Sequence, residues 1–217
     1  TLSAGMMAAQ SQKGVPMAKY DDRLITPSDI VDAMQLLTRL PVPANDSPRG
    51  AAAAWAYPLA GLVVGALAAA ISLIGHAFGL PAPLCALIAL ATLILATGAL
   101  HEDGLADTAD GLWGGWTAER RLEIMKDSRI GAYGVIALFL GLSARWGALW
   151  MLFARAGALA VASSFAGWGG SLAILWALLV TFVLARIALA KIGGQTGDIL
   201  VAAQQLAEIA ILFSLLA

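Results

Sequence analysis

The sequence predicts an all-α fold, a polytopic transmembrane helical bundle with an acidic active site at the cytoplasmic face of the membrane. The chain has 217 residues, of which 60% are hydrophobic and 12% charged. A soluble domain of this length cannot bury so much apolar surface. Residues 51–100 contain no Lys, Arg, Asp or Glu. We expect a flexible N-terminal tail over residues 1–26 and a single membrane-embedded catalytic domain over residues 27–217.

Five apolar segments have the length and composition of membrane-spanning helices. They cover residues 54–77, 84–100, 132–153, 171–190 and 199–217. The small-residue stretch 154–170 between the third and fourth segments is compatible with either a loop or an additional span. Two other segments, 28–39 and 118–128, place apolar side chains at a helical period. They predict short helices that lie on the membrane surface.

Charge predicts the orientation of these segments. The N-terminal part is basic, and basic segments favour the cytoplasmic side of a membrane. Its basic residues are Lys13, Lys19, Arg23, Arg39 and Arg49. Two spans later the chain reaches residues 101–129, and two further spans return it to residues 191–198, so we expect all three regions in the cytoplasm. The net charge of −1 favours no nucleic-acid-binding surface.

The most informative segment follows the second span and reads His-Glu-Asp-Gly-Leu-Ala-Asp-Thr-Ala-Asp-Gly over residues 101–111. Asp103, Asp107 and Asp110 are spaced so that a helix places them on one face, about one turn apart. Like charges so placed repel each other, and Mg²⁺ relieves the repulsion because it prefers carboxylate oxygens. We predict that these aspartates are catalytic residues and ligands of Mg²⁺ bridging a diphosphate. His101 is either a general base or a histidine hydrogen-bonded to the backbone.

Two further segments are candidates for phosphate binding. Residues 126–134 read Lys-Asp-Ser-Arg-Ile-Gly-Ala-Tyr-Gly, in which Lys126 and Arg129 suit phosphate oxygens and Asp127 suits a metal. The alternative is a basic cytoplasmic cluster before the third span. Residues 191–198 read Lys-Ile-Gly-Gly-Gln-Thr-Gly-Asp, which is compatible with an anion-binding nest or with an ordinary turn. The candidate binding residues there are Lys191, Gly193, Gly194, Gly197 and Asp198.

Two charged residues fall inside apolar segments. Arg145 lies in the third span and Glu208 in the last. A charge at membrane depth is costly unless it is paired or faces a wet interior. The two residues are therefore candidate partners of each other, and the sequence leaves open whether their role is structural or functional.

Taken in order along the chain, these motifs resemble the cobalamin synthase family, adenosylcobinamide-GDP ribazoletransferase. The similar segments are residues 101–111, 121–134 and 193–198, with Thr-Arg-Leu-Pro-Val-Pro at 38–43 and Ala-Gln-Gln-Leu-Ala-Glu at 203–208. The resemblance implies a Mg²⁺-dependent, multi-pass enzyme of the bacterial inner membrane. It implies transfer of the phosphocobinamide moiety of adenosylcobinamide-GDP to α-ribazole, or to its 5′-phosphate, with release of GMP.

The resemblance also implies roles for individual residues. Asp103, Asp107 and Asp110 would be the metal-binding acids, Asp127 and Arg129 would lie near the phosphates, and the 193–198 segment would form a second wall. The chain departs from the family at one place. Members usually carry a further helix and a Pro-x-Ala-Arg-x-Gly-Leu loop before the last Gly-rich segment, whereas here the stretch Ala154–Gly170 runs almost directly into the next span.

Two other classes of protein fit this pattern less well. CDP-alcohol phosphotransferases carry an Arg soon after the first Asp-Gly and a longer run to their last acids, and this chain has neither. A cation transporter would show polar residues in several spans and internal repeats. Here the acids gather at one face of the membrane, which favours the enzyme. The sequence leaves open whether the protein forms a homo-oligomer.

Overall fold

The computed structural model describes residues 25–45, 49–164 and 168–216. These residues form α1 (Ser28–Leu37), a 3₁₀ helix (Gly50–Ala56), α2 (Tyr57–Ala77), α3 (Ala82–Thr97), α4 (Leu100–Gly114), α5 (Ala118–Met125), α6 (Ala132–Ser164), α7 (Trp168–Ile192) and α8 (Gly197–Ser214). No strand occurs in the described parts of the chain, so the all-α prediction is confirmed. The predicted tail, apart from its last two residues, lies outside the described residues.

Four helical segments are long and apolar enough to cross a membrane. They cover Gly50–Ala77, Ala132–Arg155, Ser171–Ile192 and Gly197–Ser214. Helices α3 and α4 together make a fifth if they are counted as one segment, but their axes are bent by 84°. The pair therefore has the form of a broken span or a re-entrant segment, and the apolar helices agree with the predicted multi-pass bundle.

The bend between α3 and α4 depends on two residues in the left-handed region. Gly98 has a φ of 65° and ends α3, and Ala99 has a φ of 60° and precedes α4. A left-handed residue commonly ends a helix because it turns the chain away from the helix axis. The backbone N–H of Arg39 donates to the carbonyl of Ala96 at 2.7 Å, which attaches the segment after α1 to this bend.

Helix α1 is held by a buried carboxylate. Asp29 accepts hydrogen bonds from the backbone and hydroxyl of Thr26, from Trp55 at 2.7 Å and from Arg49 at 3.0 Å. Burial alone would raise the pKa of Asp29, but these donors and the Arg49 charge lower it to about 2. The predicted surface helix is therefore fixed against the 3₁₀ helix that leads into α2.

The centre of the bundle contains a buried ionic network. Arg145 of α6 is 3% exposed and donates to Glu102 of α4 at 2.6 Å and to Glu208 of α8 at 3.1 Å. Gln205 donates to the same Glu102 oxygen at 2.6 Å. The predicted pairing of Arg145 with Glu208 is confirmed. The structure adds Glu102, so that one guanidinium joins three helices.

We expect Arg145→Met to lower the free energy of unfolding by about 3–5 kcal/mol, because it leaves the buried Glu102 and the partly buried Glu208 without their cation. The measurement is an unfolding titration in mixed detergent micelles. Arg186→Met is the matched control, since Arg186 lies in α7 and is exposed. An equal loss in both variants would show that the network does not stabilise the bundle.

Candidate active site

The predicted aspartates all lie on α4, at different depths. Asp103 is exposed in the first turn, Asp107 is half-buried, and Asp110 is 7% exposed. Asp198 lies in the first turn of α8, whose start is capped by the Thr196 side chain accepting from the N–H of Ile199. The structure thus places the acids of two helices in the same region.

Gly104 allows α8 to approach α4 at this point. A Cβ atom on Gly104 would lie 1.9 Å from a methyl group of Val201, 3.1 Å from the carbonyl oxygen of Asp198 and 3.3 Å from its Cα. No other residue fits this contact without a shift, because these distances are shorter than van der Waals contacts allow. Gly104 follows Asp103, so the same contact brings Asp198 near the acids of α4.

The acids influence one another electrostatically. Burial, followed by the charges of Asp103, Asp198 and Asp110, raises the pKa of Asp107 to about 6. Among the residues that the structure describes, no three His, Cys, Asp or Glu side chains form an arrangement that could hold a metal ion by themselves. The cluster is therefore a repulsive group of hard oxygen donors rather than a complete protein cage.

Asp110 has a structural contact in addition to its predicted role. Its two carboxylate oxygens accept hydrogen bonds from the N–H groups of Gly131 at 2.7 Å and Gly134 at 2.9 Å. A Cβ atom on either glycine would come within 2.5 Å of this carboxylate. Asp110 therefore fixes the start of α6 against α4, and its role as a metal ligand stays a prediction.

The candidate basic residues have different surroundings. Arg129 forms a bidentate contact with Asp127, at 2.7 Å for the shortest pair, and the Arg129 bonds lower the pKa of Asp127 to about 2. Lys126 is exposed at the end of α5. Lys191 donates to the carbonyl of Leu112 at 2.7 Å and lies over a neighbouring indole ring, so it attaches the end of α7 to α4. Their phosphate-binding roles stay predictions.

The glycine segment between α7 and α8 leaves open space. Gly193 has a φ of 75°, which favours glycine. A Cβ atom on Gly193, Gly194 or Gly197 would meet no atom within 4 Å. These glycines therefore do not serve close packing within the described chain, and the binding of a ligand by this segment stays a prediction.

A cavity of about 780 Å³ lies beside the acids and is bordered by α1, α2, α3, α4, α6 and α8. Its polar lining consists mainly of His101, Glu102, Asp103, Arg145, Asp198 and Glu208. His101 is half-buried, and burial lowers its pKa, with Arg145 adding to the effect and Glu102 opposing it. Sequence reasoning missed Glu102, although the signal was present as a second acid beside Asp103 after a long uncharged stretch.

These features define a class, a multi-pass helical membrane protein with an acidic site beside a cavity of the size that binds small molecules. The family model of cobalamin-5-phosphate synthase matches residues 29–177 and 156–216. The chain belongs to this family, and the predicted resemblance is confirmed. The two matches overlap at residues 156–177, the region in which the sequence departs from the family pattern.

Three curated relatives, each named adenosylcobinamide-GDP ribazoletransferase, illustrate the similarity. The protein of Bradyrhizobium diazoefficiens is 44% identical over 85% of this chain and 92% of its own length. The protein of Brucella ovis is 39% identical over 86% of this chain and 95% of its own length. The protein of Mesorhizobium japonicum is 37% identical over 89% of this chain and 96% of its own length. No solved structure matches the chain.

We expect Gly104→Ala to lower the free energy of unfolding by about 1–3 kcal/mol, because the added methyl group overpacks the contact between α4 and α8. Gly147→Ala is the matched control, since a Cβ atom there meets nothing within 4 Å. Thermal unfolding in detergent measures both variants. If Gly104→Ala is as stable as Gly147→Ala, the close approach does not determine the position of α8.

Proposed function

We propose that this chain transfers the phosphocobinamide moiety of adenosylcobinamide-GDP to α-ribazole, or to its 5′-phosphate. A ribose hydroxyl of the acceptor attacks the phosphorus that carries the cobinamide. A new P–O bond forms, the P–O bond to GMP breaks, and GMP leaves with the electron pair. The proton of the hydroxyl would pass to a base such as neutral His101 or to water. Membership of the cobalamin-5-phosphate synthase family carries this proposal. The carboxylates that converge beside a ligand-sized cavity support it.

The donor set of the site suits Mg²⁺. Asp103, Asp107 and Asp198 offer hard carboxylate oxygens, and their mutual repulsion is the charge that a divalent cation neutralises. Mg²⁺ in phosphoryl-transfer sites retains water and uses one or two carboxylates together with substrate phosphates. An open group of acids fits that mode. When bound, Mg²⁺ would neutralise charge on the transferred phosphate.

Asp110 and Asp127 already have hydrogen-bond partners, so each would bind a metal under a different condition. Each oxygen of Asp110 retains acceptor capacity beyond the N–H bond that it receives, so Asp110 would add a ligand without releasing α6. Asp127 would have to release Arg129 first. A substrate phosphate would therefore replace Asp127 as the partner of Arg129, which would free the Asp127 carboxylate. His101 adjoins the acids, and burial favours its neutral form, which would accept a proton as a general base.

The orientation of the site follows from charge. The basic residues around it, Lys126, Arg129 and Lys191, belong to segments that the positive-inside rule places in the cytoplasm. We place the protein in the bacterial inner membrane with its acids facing the cytoplasm. Lipid would surround α2, α6 and α7, because these helices expose large apolar side chains.

We expect Asp103→Asn to abolish Mg²⁺-dependent GMP release from adenosylcobinamide-GDP and α-ribazole in membranes, because it removes an exposed carboxylate of the cluster. Glu119→Gln, an exposed acid on α5, serves as the control and should keep wild-type activity. Wild-type activity in Asp103→Asn would overturn the metal assignment. Cation flux into proteoliposomes without GMP release would favour the transporter.

We expect Mg²⁺ to stabilise the protein more strongly at pH 7.5 than at pH 5, because the pKa of Asp107 is raised to about 6. A raised carboxyl pKa means that the folded state binds this proton more tightly than the unfolded state. Without Mg²⁺, this group therefore favours folding increasingly as the pH falls through 6 toward 4. Thermal shifts with and without Mg²⁺ measure both effects. Asp107→Asn should remove this pH dependence, and an unchanged profile would contradict the assignment.

A further inference from the structure

The cavity has two chemically different parts. Its walls are largely apolar and include Ala60, Val64, Leu93 and Leu200. Its polar surface combines the acids of the proposed reaction site with the buried network of Arg145. A ligand that fills this space must therefore present an apolar body and a polar part that reaches carboxylates.

The network leaves one hydrogen-bond acceptor without a donor. Glu102 is 8% exposed, and its Oε1 atom receives both Arg145 and Gln205. Its Oε2 atom is buried and has no hydrogen-bond partner among the described residues. A buried polar atom without a partner is costly. Because Glu102 lines the cavity, a bound hydroxyl or N–H group could supply the missing donor after a small rotation of the carboxylate.

We infer that this cavity binds the acceptor nucleoside, with its apolar bicyclic base against the aliphatic walls and a ribose hydroxyl donating to Glu102. The inference rests on the proposed function, because α-ribazole is the acceptor there. In α-ribazole one ring nitrogen of the dimethylbenzimidazole base is bonded to the ribose, so the base has two methyl groups and no N–H and suits an aliphatic wall. Its ribose supplies the hydroxyl donors. A nucleoside seated here places its sugar near Asp103 and Asp198, where the proposed diphosphate lies.

The other substrate groups fit this cavity less well. Guanine pairs with a carboxylate through two N–H donors, which requires both oxygens of one carboxylate to be available. Arg145 already occupies an oxygen of Glu102 and an oxygen of Glu208. The other two carboxylates of the lining, Asp103 and Asp198, are assigned to the metal in the proposed function. The corrin macrocycle carries a ring of amide side chains that would lack partners along aliphatic walls. The acceptor nucleoside is therefore the substrate whose polarity matches the lining.

Gly61 provides a direct test of this assignment. It lines the cavity, and a Cβ atom there would meet nothing within 4 Å, so Gly61→Phe extends into open space. Gly65 lies about one turn further along α2, is equally open, and does not line the cavity. Gly65→Phe therefore controls for the effect of a large side chain on this helix.

The experiment uses the full chain in lipid nanodiscs and measures α-ribazole binding by equilibrium dialysis, together with the KM of each substrate. We expect Gly61→Phe to raise the Kd and the KM for α-ribazole about tenfold or more. The KM for adenosylcobinamide-GDP should change less than about twofold, and Gly65→Phe should behave as wild type. A raised KM for adenosylcobinamide-GDP alone would assign the cavity to the activated substrate. Unchanged α-ribazole binding by Gly61→Phe would show that the nucleoside does not occupy this cavity, and a lipid chain would then be its occupant. Either result overturns the inference.

Glu102→Gln tests the hydroxyl contact with a second ligand. α-Ribazole should bind about tenfold more weakly, because its hydroxyl loses a charged acceptor. 1,5,6-Trimethylbenzimidazole, which has neither a ribose nor an N–H, should bind within about twofold of wild type. Equal weakening of both ligands would show that Glu102 only supports the fold. If wild-type protein binds α-ribazole but releases no GMP, the proposed function fails while this binding site stands.

Discussion

The guanidinium of Arg145 is the interaction on which the arrangement of the acids depends. It joins Glu102 of α4 and Glu208 of α8 inside the bundle, where each charge alone would be costly. Glu102 directly precedes Asp103, and α8 carries Asp198 in its first turn. A single buried cation therefore sets the relative positions of the two helices that carry the proposed metal-binding acids.

Close packing completes this arrangement. Gly104 lets the backbone of α8 approach α4, while the carboxylate of Asp110 receives two N–H groups at the start of α6. The same face of α4 thus serves two purposes along its length. Its first turns present acids toward the cavity, and its last turns use an acid to hold a neighbouring helix. The helical spacing of the three aspartates in the sequence conceals this division.

Local features were predictable from the sequence, and tertiary contacts were only partly so. The three aspartates share a helix because their spacing is a property of the helix itself. Arg145 and Glu208 were candidate partners because an apolar span leaves few alternatives. Glu102 was missed, because helical spacing places it on a different face of α4 from the three aspartates. Only the packing of α6 and α8 against that face gives Glu102 its partners. Lys191 shows the reverse case, because its basic charge suggested phosphate, whereas its amine donates to a carbonyl of α4.

The balance of charge links the network to the proposed reaction. Arg145 faces two carboxylates, and the cluster of Asp103, Asp107 and Asp198 has no cation of its own among the contacts described above. The fold holds these like charges together against their repulsion, as the raised pKa of Asp107 reflects. Such a site does not attract a bare diphosphate, because both are negative. It would accept one together with a divalent cation, and its remaining free acceptor would favour a partner that brings hydroxyl donors. The proposed site would therefore suit a metal-bound diphosphate on one side and a nucleoside hydroxyl on the other, the two reacting groups of the proposed transfer.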